Sequence, residues 1–178
     1  MQVENIKASL DVPFIQFTLP DYSAMKQDII DSIEKEALPN TFEPNFPDAL
    51  RTPWYIMKHK SIKWLADQVT NAVGKWDKCK EGTLICDDIW GIITQSKQAS
   101  KSHSHYPATW SAVIYVSCPE GSGYTVWPDI NKKVKPVDGN VCLFPGYLKH
   151  YVESSAENVR RIIVSCNIIT NKSKTNES

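Results

Sequence analysis

The sequence predicts a mainly β domain, a sandwich or barrel, entered through helices. Three observations predict it. Beyond Gly82 the chain is a series of short β-rich runs, separated by Gly, Pro, Asn and Asp. Before Gly82, apolar residues recur with a helical period in two segments. No internal repeat interrupts this order of helices first and strands after.

The elements follow in turn. Val12 to Leu19 reads as a strand that ends at Pro20. Asp21 or Ser23 can cap a helix running to about Ala37, on which Met25, Ile29, Ile30 and Ile33 give the apolar stripe. The segment from Pro39 to Pro53 is irregular, with Phe42 and Phe46 inside it, and reads as a surface connection or a lid. Ser61 to Trp76 is the strongest helix, with Ile62, Leu65, Ala66, Val69 and Val73 on one face and Ser61 as its cap. The strand-like runs are TLICDDIWGIITQ, TWSAVIYVS, GYTVWP, NVCLFPG, HYVES and NVRRIIVSCNII. The polar tail from Asn171 to Ser178 predicts disorder.

A chain of 178 residues suits one domain, with a helical part over about 1–80 and a β core over about 83–170. Lys and Arg together number 20, as do Asp and Glu, so the chain has no net charge and no basic signal for a nucleic-acid partner. No apolar run approaches the roughly 20 residues that span a bilayer. Met1 to Leu10 lacks the apolar centre of a signal peptide. The five cysteines, Cys79, Cys86, Cys118, Cys142 and Cys166, show no paired ligand spacing. Read as reduced thiols, they suit the cytoplasm.

Only four histidines occur, and two form His103-Ser104-His105. On an extended segment, residues two apart share a face, so this pair can grip one metal. His150, at the start of another β-rich run, is a candidate third ligand. Three ligands on one side leave positions open for a co-substrate and oxygen. His59, within KHK, has no sequence partner and reads as a surface residue. Arg160 and Arg161 stand in a β-branched run, where burying a guanidinium is costly unless it meets an anion. Alternation sends them to opposite faces, so one can serve a pocket, and a guanidinium fork suits a carboxylate. Glu153 and Glu157, in the preceding turn, are the competing partners.

Taken together, these stretches resemble a family of 2-oxoglutarate/iron(II) oxygenases of bacterial and marine-phage type. The matching residues are His103-Ser104-His105-Tyr106-Pro107, Trp110 to Tyr115, Ser122-Gly123, Trp127-Pro128-Asp129, Gly139 to Pro145, His150, and Arg161 to Asn167, with Asp88-Ile89-Trp90 upstream. The resemblance covers about Asp87 to Ile169. It implies a double-stranded β-helix, a cupin-like jelly-roll, with iron(II), 2-oxoglutarate and O2. It implies hydroxylation of an unactivated C–H bond, with release of succinate and CO2. It implies metal ligation by His103 and His150 and a grip on the co-substrate by Arg161. Tyr115, on the face of Ser111 and Val113, is a candidate cavity wall or hydrogen-bond donor at the catalytic site.

Several residues depart from the family pattern. His105 stands where the wider superfamily has an acid. Either it completes a three-histidine set, the preferred reading, or Asp129 or a water does. A neutral ligand there leaves the metal one charge more positive. Ile163 replaces a serine, Ala112 a glycine, and Tyr106 intrudes before Pro107. Two other readings stay open: a three-histidine cupin-type dioxygenase without 2-oxoglutarate, and a non-catalytic jelly-roll that binds a partner. The expected partner is a small-molecule or peptidyl substrate.

Overall fold

The β-branched run Arg161–Thr170 forms the middle strand of a seven-stranded antiparallel sheet, and the rest of the chain is arranged around it. The computed structural model describes residues 11–41, 44–46, 48–78 and 83–171. In chain order the elements are β1 (Ile15–Thr18), α1 (Tyr22–Glu36), β2 (Leu38–Pro39), β3 (Leu50–Arg51), α2 (Lys60–Asp77), β4 (Leu84–Thr94) and β5 (Trp110–Ser117). There follow β6 (Thr125–Trp127), β7 (Lys132–Val134), β8 (Asn140–Pro145), β9 (Tyr151–Val152) and β10 (Arg161–Thr170). The large sheet runs β1-β8-β5-β10-β4-β3-β2, and a small sheet runs β7-β6-β9.

Two cores explain the unbroken apolar runs. Ile162, Val164, Cys166 and Ile168 of β10 pack with Ile29 and Ile33 of α1 and the apolar stripe of α2. Ile163 faces the other way, into a cluster that joins Trp90, Val113, Tyr115 and Phe144 to Trp127, Val134 and Val152 of the small sheet. Both faces of the large sheet are therefore covered, and its strands need no polar alternation. Helix and sheet approach closely at Gly91, where a Cβ would come within 2.6 Å of Ile33 Cγ2. The helices cover one face, and the space between the sheets is left for a site.

The structure changes several local expectations. Asp21 takes the N-cap position of α1 in a left-handed conformation but makes no side-chain cap, and Ser23 lies inside the helix. Ser61 is the second residue of α2, not its cap. Its Oγ donates to Asp28 O at 3.1 Å and meets Ser32 Oγ at 3.0 Å, which ties the two helices together. His59 is no isolated surface residue, because Nε2 pairs with Glu36 Oε1 at 3.0 Å. Helix packing creates both contacts, and neither partner is near in sequence.

The Pro39–Pro53 segment contributes β2 and β3 at the sheet edge, and Phe46 enters the inter-sheet core. Phe42 lies outside the described residues, as do Met1 to Leu10, Cys79 and the tail beyond Asn171. Cys86, Cys118, Cys142 and Cys166 are free. No helix among the described residues is long and apolar enough to cross a membrane.

Candidate metal centre

The three histidines come together through backbone contacts. His103 and His150 form an isolated antiparallel bridge, in which each N–H donates to the other's carbonyl, at 3.0 and 2.9 Å. His105 is held separately, by its N–H donating to Gly146 O at 2.7 Å. A side chain at Gly146 would collide with the Ala108 carbonyl, so the loop carrying His105 can close only over a glycine.

One potential ligand atom from each of His103, His105 and His150 lies within 4.8 Å of the other two. His105 Nε2 and His150 Nε2 are 3.3 Å apart, and their rings stack at 5.0 Å with an 8° tilt. Two imidazole nitrogens bound about 2.1 Å from one ion, at right angles, stand about 3 Å apart, so the donor set fits a metal. The outward nitrogens have acceptors: His103 Nδ1 lies 2.8 Å from Lys101 O and His150 Nδ1 3.3 Å from Leu148 O. Such contacts set the tautomer that leaves Nε2 free for an ion.

Burial favours the neutral form of His105 and His150. Burial, then the neighbouring His103 and Arg51, push His105 down to about 4, against an opposing hydrogen bond that its ring donates to Asn167. Burial and the other two histidines push His150 well below its ordinary value. Neutral imidazole is the form that ligates.

The triad opens on a cavity of about 470 Å³ between the sheets. Phe46, Trp90, Val113 and Ile163 give apolar walls, and Thr125, Ser165 and Asn167 polar ones. Asn167 accepts from Ser111 Oγ at 2.9 Å and donates to Asp88 Oδ2 at 3.2 Å. Arg161 is 1% exposed, and its Nη2 donates to Thr125 Oγ1 at 3.4 Å. Its Nε and Nη1 are buried without a hydrogen-bond partner among the described residues. Arg160, on the opposite face, pairs with Glu34 at 2.6 Å. Glu153 and Glu157 pair with Lys133 and Lys97, so neither serves Arg161.

Two candidate residues stand elsewhere than expected. Tyr115 does not line the cavity; it is fully buried behind Thr125, to whose Oγ1 its hydroxyl donates at 2.9 Å. Asp129 is exposed in a short 3-10 turn and is no part of the histidine cluster. Phe46 lines the cavity without any ligand-like spacing in the sequence. The Arg51 guanidinium, buried, stacks 3.6 Å from the Trp54 ring and 5.1 Å from Trp90.

No protein-family model matches the sequence, and no curated protein matches it. Solved structures do match. A viral collagen prolyl hydroxylase from Paramecium bursaria Chlorella virus-1, in complex with 2-oxoglutarate, superposes with a TM-score of 0.68 at 17% identity, over 87% of this chain and 94% of that one. The fold is that of 2-oxoglutarate/iron(II) oxygenases. A Pseudomonas putida prolyl-4-hydroxylase gives a TM-score of 0.66 at 14% identity, over 89% of this chain and 92% of its own. HygX from Streptomyces hygroscopicus, with nickel and 2-oxoglutarate bound, gives 0.66 at 13%, over 90% and 84%.

Proposed function

We propose that the protein is an iron(II)- and 2-oxoglutarate-dependent oxygenase that hydroxylates a C–H bond of a small-molecule or peptidyl substrate, releasing succinate and CO2. One observation carries the reading: behind Thr125, which lines the histidine triad's cavity, lies the buried Arg161, bonded to that threonine and with Nε and Nη1 unpartnered among the described residues. Iron(II), when bound with 2-oxoglutarate and O2, supplies the oxidising chemistry.

The chain's own residues do the rest. His103, His105 and His150 would hold the ion, each through one imidazole nitrogen. Arg161 offers Nε and Nη1 to the distal carboxylate of 2-oxoglutarate in a fork that a carboxylate fills. Thr125 fixes the guanidinium and is itself fixed by Tyr115, which acts as a positioning residue. Phe46, Trp90 and Ile163 keep water from the centre. Ile163 also stands where the resembled family offers a hydroxyl, so Arg161 carries more of the carboxylate binding here.

The three-histidine set also favours a second reading, a cupin-type dioxygenase that needs no 2-oxoglutarate. Arg161 argues against it, since that chemistry has no use for its two unpaired nitrogens, Nε and Nη1. Anaerobic addition of iron(II) and then 2-oxoglutarate tests the choice. The expected result is the weak visible charge-transfer band of the chelate. Iron binding without that band, with oxygen uptake independent of 2-oxoglutarate, overturns the first reading in favour of the second.

A further inference from the structure

The cavity is asymmetric in charge. Histidines aside, its only charged lining residues among those described are Asp87 and Asp88. Adjacent residues of a strand point to opposite faces, yet both of these line the cavity. The cause is a bulge. In the β10–β4 ladder Asn167 pairs with Asp88 and Ile168 with Cys86, so Asp87 is the unpaired extra residue. Bulges of this kind re-aim side chains beside sites. No cation pairs with either carboxylate among the described residues, and the one recorded partner is Asn167 Nδ2 on Asp88 Oδ2. Trp54, 42% exposed, and Tyr106, 80% exposed, line the same cavity and offer aromatic surface at its rim.

A second observation is independent of the acids. Trp90 lines the cavity and is 2% exposed, and its Nε1–H is buried with no acceptor among the described residues. An orphaned buried donor costs free energy unless a bound molecule supplies the acceptor. Trp90 also lies beside the triad, with its ring 5.6 Å from that of His105. One wall of the cavity, Trp90, thus carries an unpaired buried donor beside the metal ligands, and Asp87 and Asp88 give the same cavity negative charge.

We infer that the substrate is a cationic amine or guanidine, whose charged group is held by Asp87 and Asp88 while an acceptor elsewhere on it takes the Trp90 N–H. This rests on the oxygenase reading of the cavity. Charge-assisted hydrogen bonds to two carboxylates supply the selectivity, and the aromatic rim accommodates the aliphatic stem of such a group.

The test uses the full chain loaded with nickel(II) in place of iron, with 2-oxoglutarate, without oxygen. Binding of nickel and 2-oxoglutarate is measured first, so failure of the oxygenase reading appears at that stage and is separate from failure of this inference. Calorimetry then compares N-acetyl-lysine methylamide and N-acetyl-arginine methylamide with the neutral N-acetyl-norleucine methylamide and the acidic N-acetyl-glutamate methylamide. At least one cationic probe is expected to bind about tenfold or more tightly than norleucine. The glutamate probe is expected to bind least. The Asp87→Asn/Asp88→Asn double variant should lose the preference while keeping nickel and 2-oxoglutarate. Asp87→Asn alone, at an exposed position, should lose part of it. Trp90→Phe should weaken all the probes and keep the cation preference. Equal affinity for cationic and neutral probes, no binding of any probe to the loaded protein, or a preference that survives in the double variant overturns the inference.

Discussion

His103 and His150 are joined by a reciprocal pair of backbone hydrogen bonds, at 3.0 and 2.9 Å, and their imidazoles consequently face each other at 4.5 Å between ring centroids. Two of the three candidate ligands are thus positioned by main chain, and ring contacts from Phe46 on His103 and from Trp127 and Phe144 on His150 add to it. Removing one imidazole leaves the bridge itself intact, which makes histidine substitutions clean tests of ligation.

His150→Ala and His103→Ala should each lower nickel or iron affinity by about a hundredfold or more. A four-ligand structural site is worth about 10–16 kcal/mol, so one ligand accounts for about 3 kcal/mol. His105→Asp should retain the ion, since a carboxylate is an equally good donor there, whereas His105→Ala should weaken it. His59→Ala should leave metal affinity unchanged, because that ring pairs with Glu36 away from the cluster. Metal content by atomic absorption together with calorimetry decides. Full affinity in His105→Ala would make His105 a bystander of a two-histidine site.

The legible part of this architecture is the part set by local pattern. Arg160 and Arg161 separate to opposite faces as alternation requires, and the apolar runs at Val113 and Val164 become strands because both sheet faces are covered. The candidate site was legible where spacing carries it, in His103-x-His105 and in the run before His150. What escaped depends on tertiary packing. Tyr115 has the right face but lies behind Thr125. Phe46 reaches the cavity from a segment with no periodic pattern, and β7 is three residues with two lysines, too polar to read as a strand. Asp87 escaped because a bulge breaks the period on which such reading depends.

The neutral histidines predict a pH dependence of the metal-free fold. His105 falls from the ordinary 6.5 to about 4 in the folded chain, mainly through burial, and His150 shifts the same way. Between those pH values the unfolded chain binds protons that the folded chain does not. Stability therefore rises with pH across this window, is complete above about 6.5, and is lost progressively as pH falls toward 4. The slope approaches at most about 1.4 kcal/mol per pH unit for each histidine. Urea midpoints of the chelator-treated protein at pH 7 and pH 5 should differ accordingly, and His105→Gln should shrink the difference. Identical midpoints for the unsubstituted chain at the two pH values would mean that the cluster accepts protons without cost.

Arg161 offers the sharpest separation of co-substrate binding from folding. Its guanidinium is 1% exposed, shares the Thr125 hydroxyl oxygen with Tyr115, and keeps Nε and Nη1 without partners. A buried cation in that state destabilises the free protein, so an apolar residue of similar length should be tolerated or should even raise the melting temperature. Arg161→Met is therefore expected to fold and to bind nickel like the unsubstituted chain. Its affinity for 2-oxoglutarate should fall about ten- to a hundredfold, since a charge-assisted hydrogen bond is worth about 1.5–3 kcal/mol. Arg160→Met removes only the exposed pair with Glu34, and exposed pairs contribute about 0–1 kcal/mol, so it should change neither property. Calorimetric titration of the nickel-loaded variants with 2-oxoglutarate reads both outcomes. Unaltered affinity in Arg161→Met, with the fold and the metal retained, removes the residue from co-substrate binding and returns the cavity to the cupin-type reading.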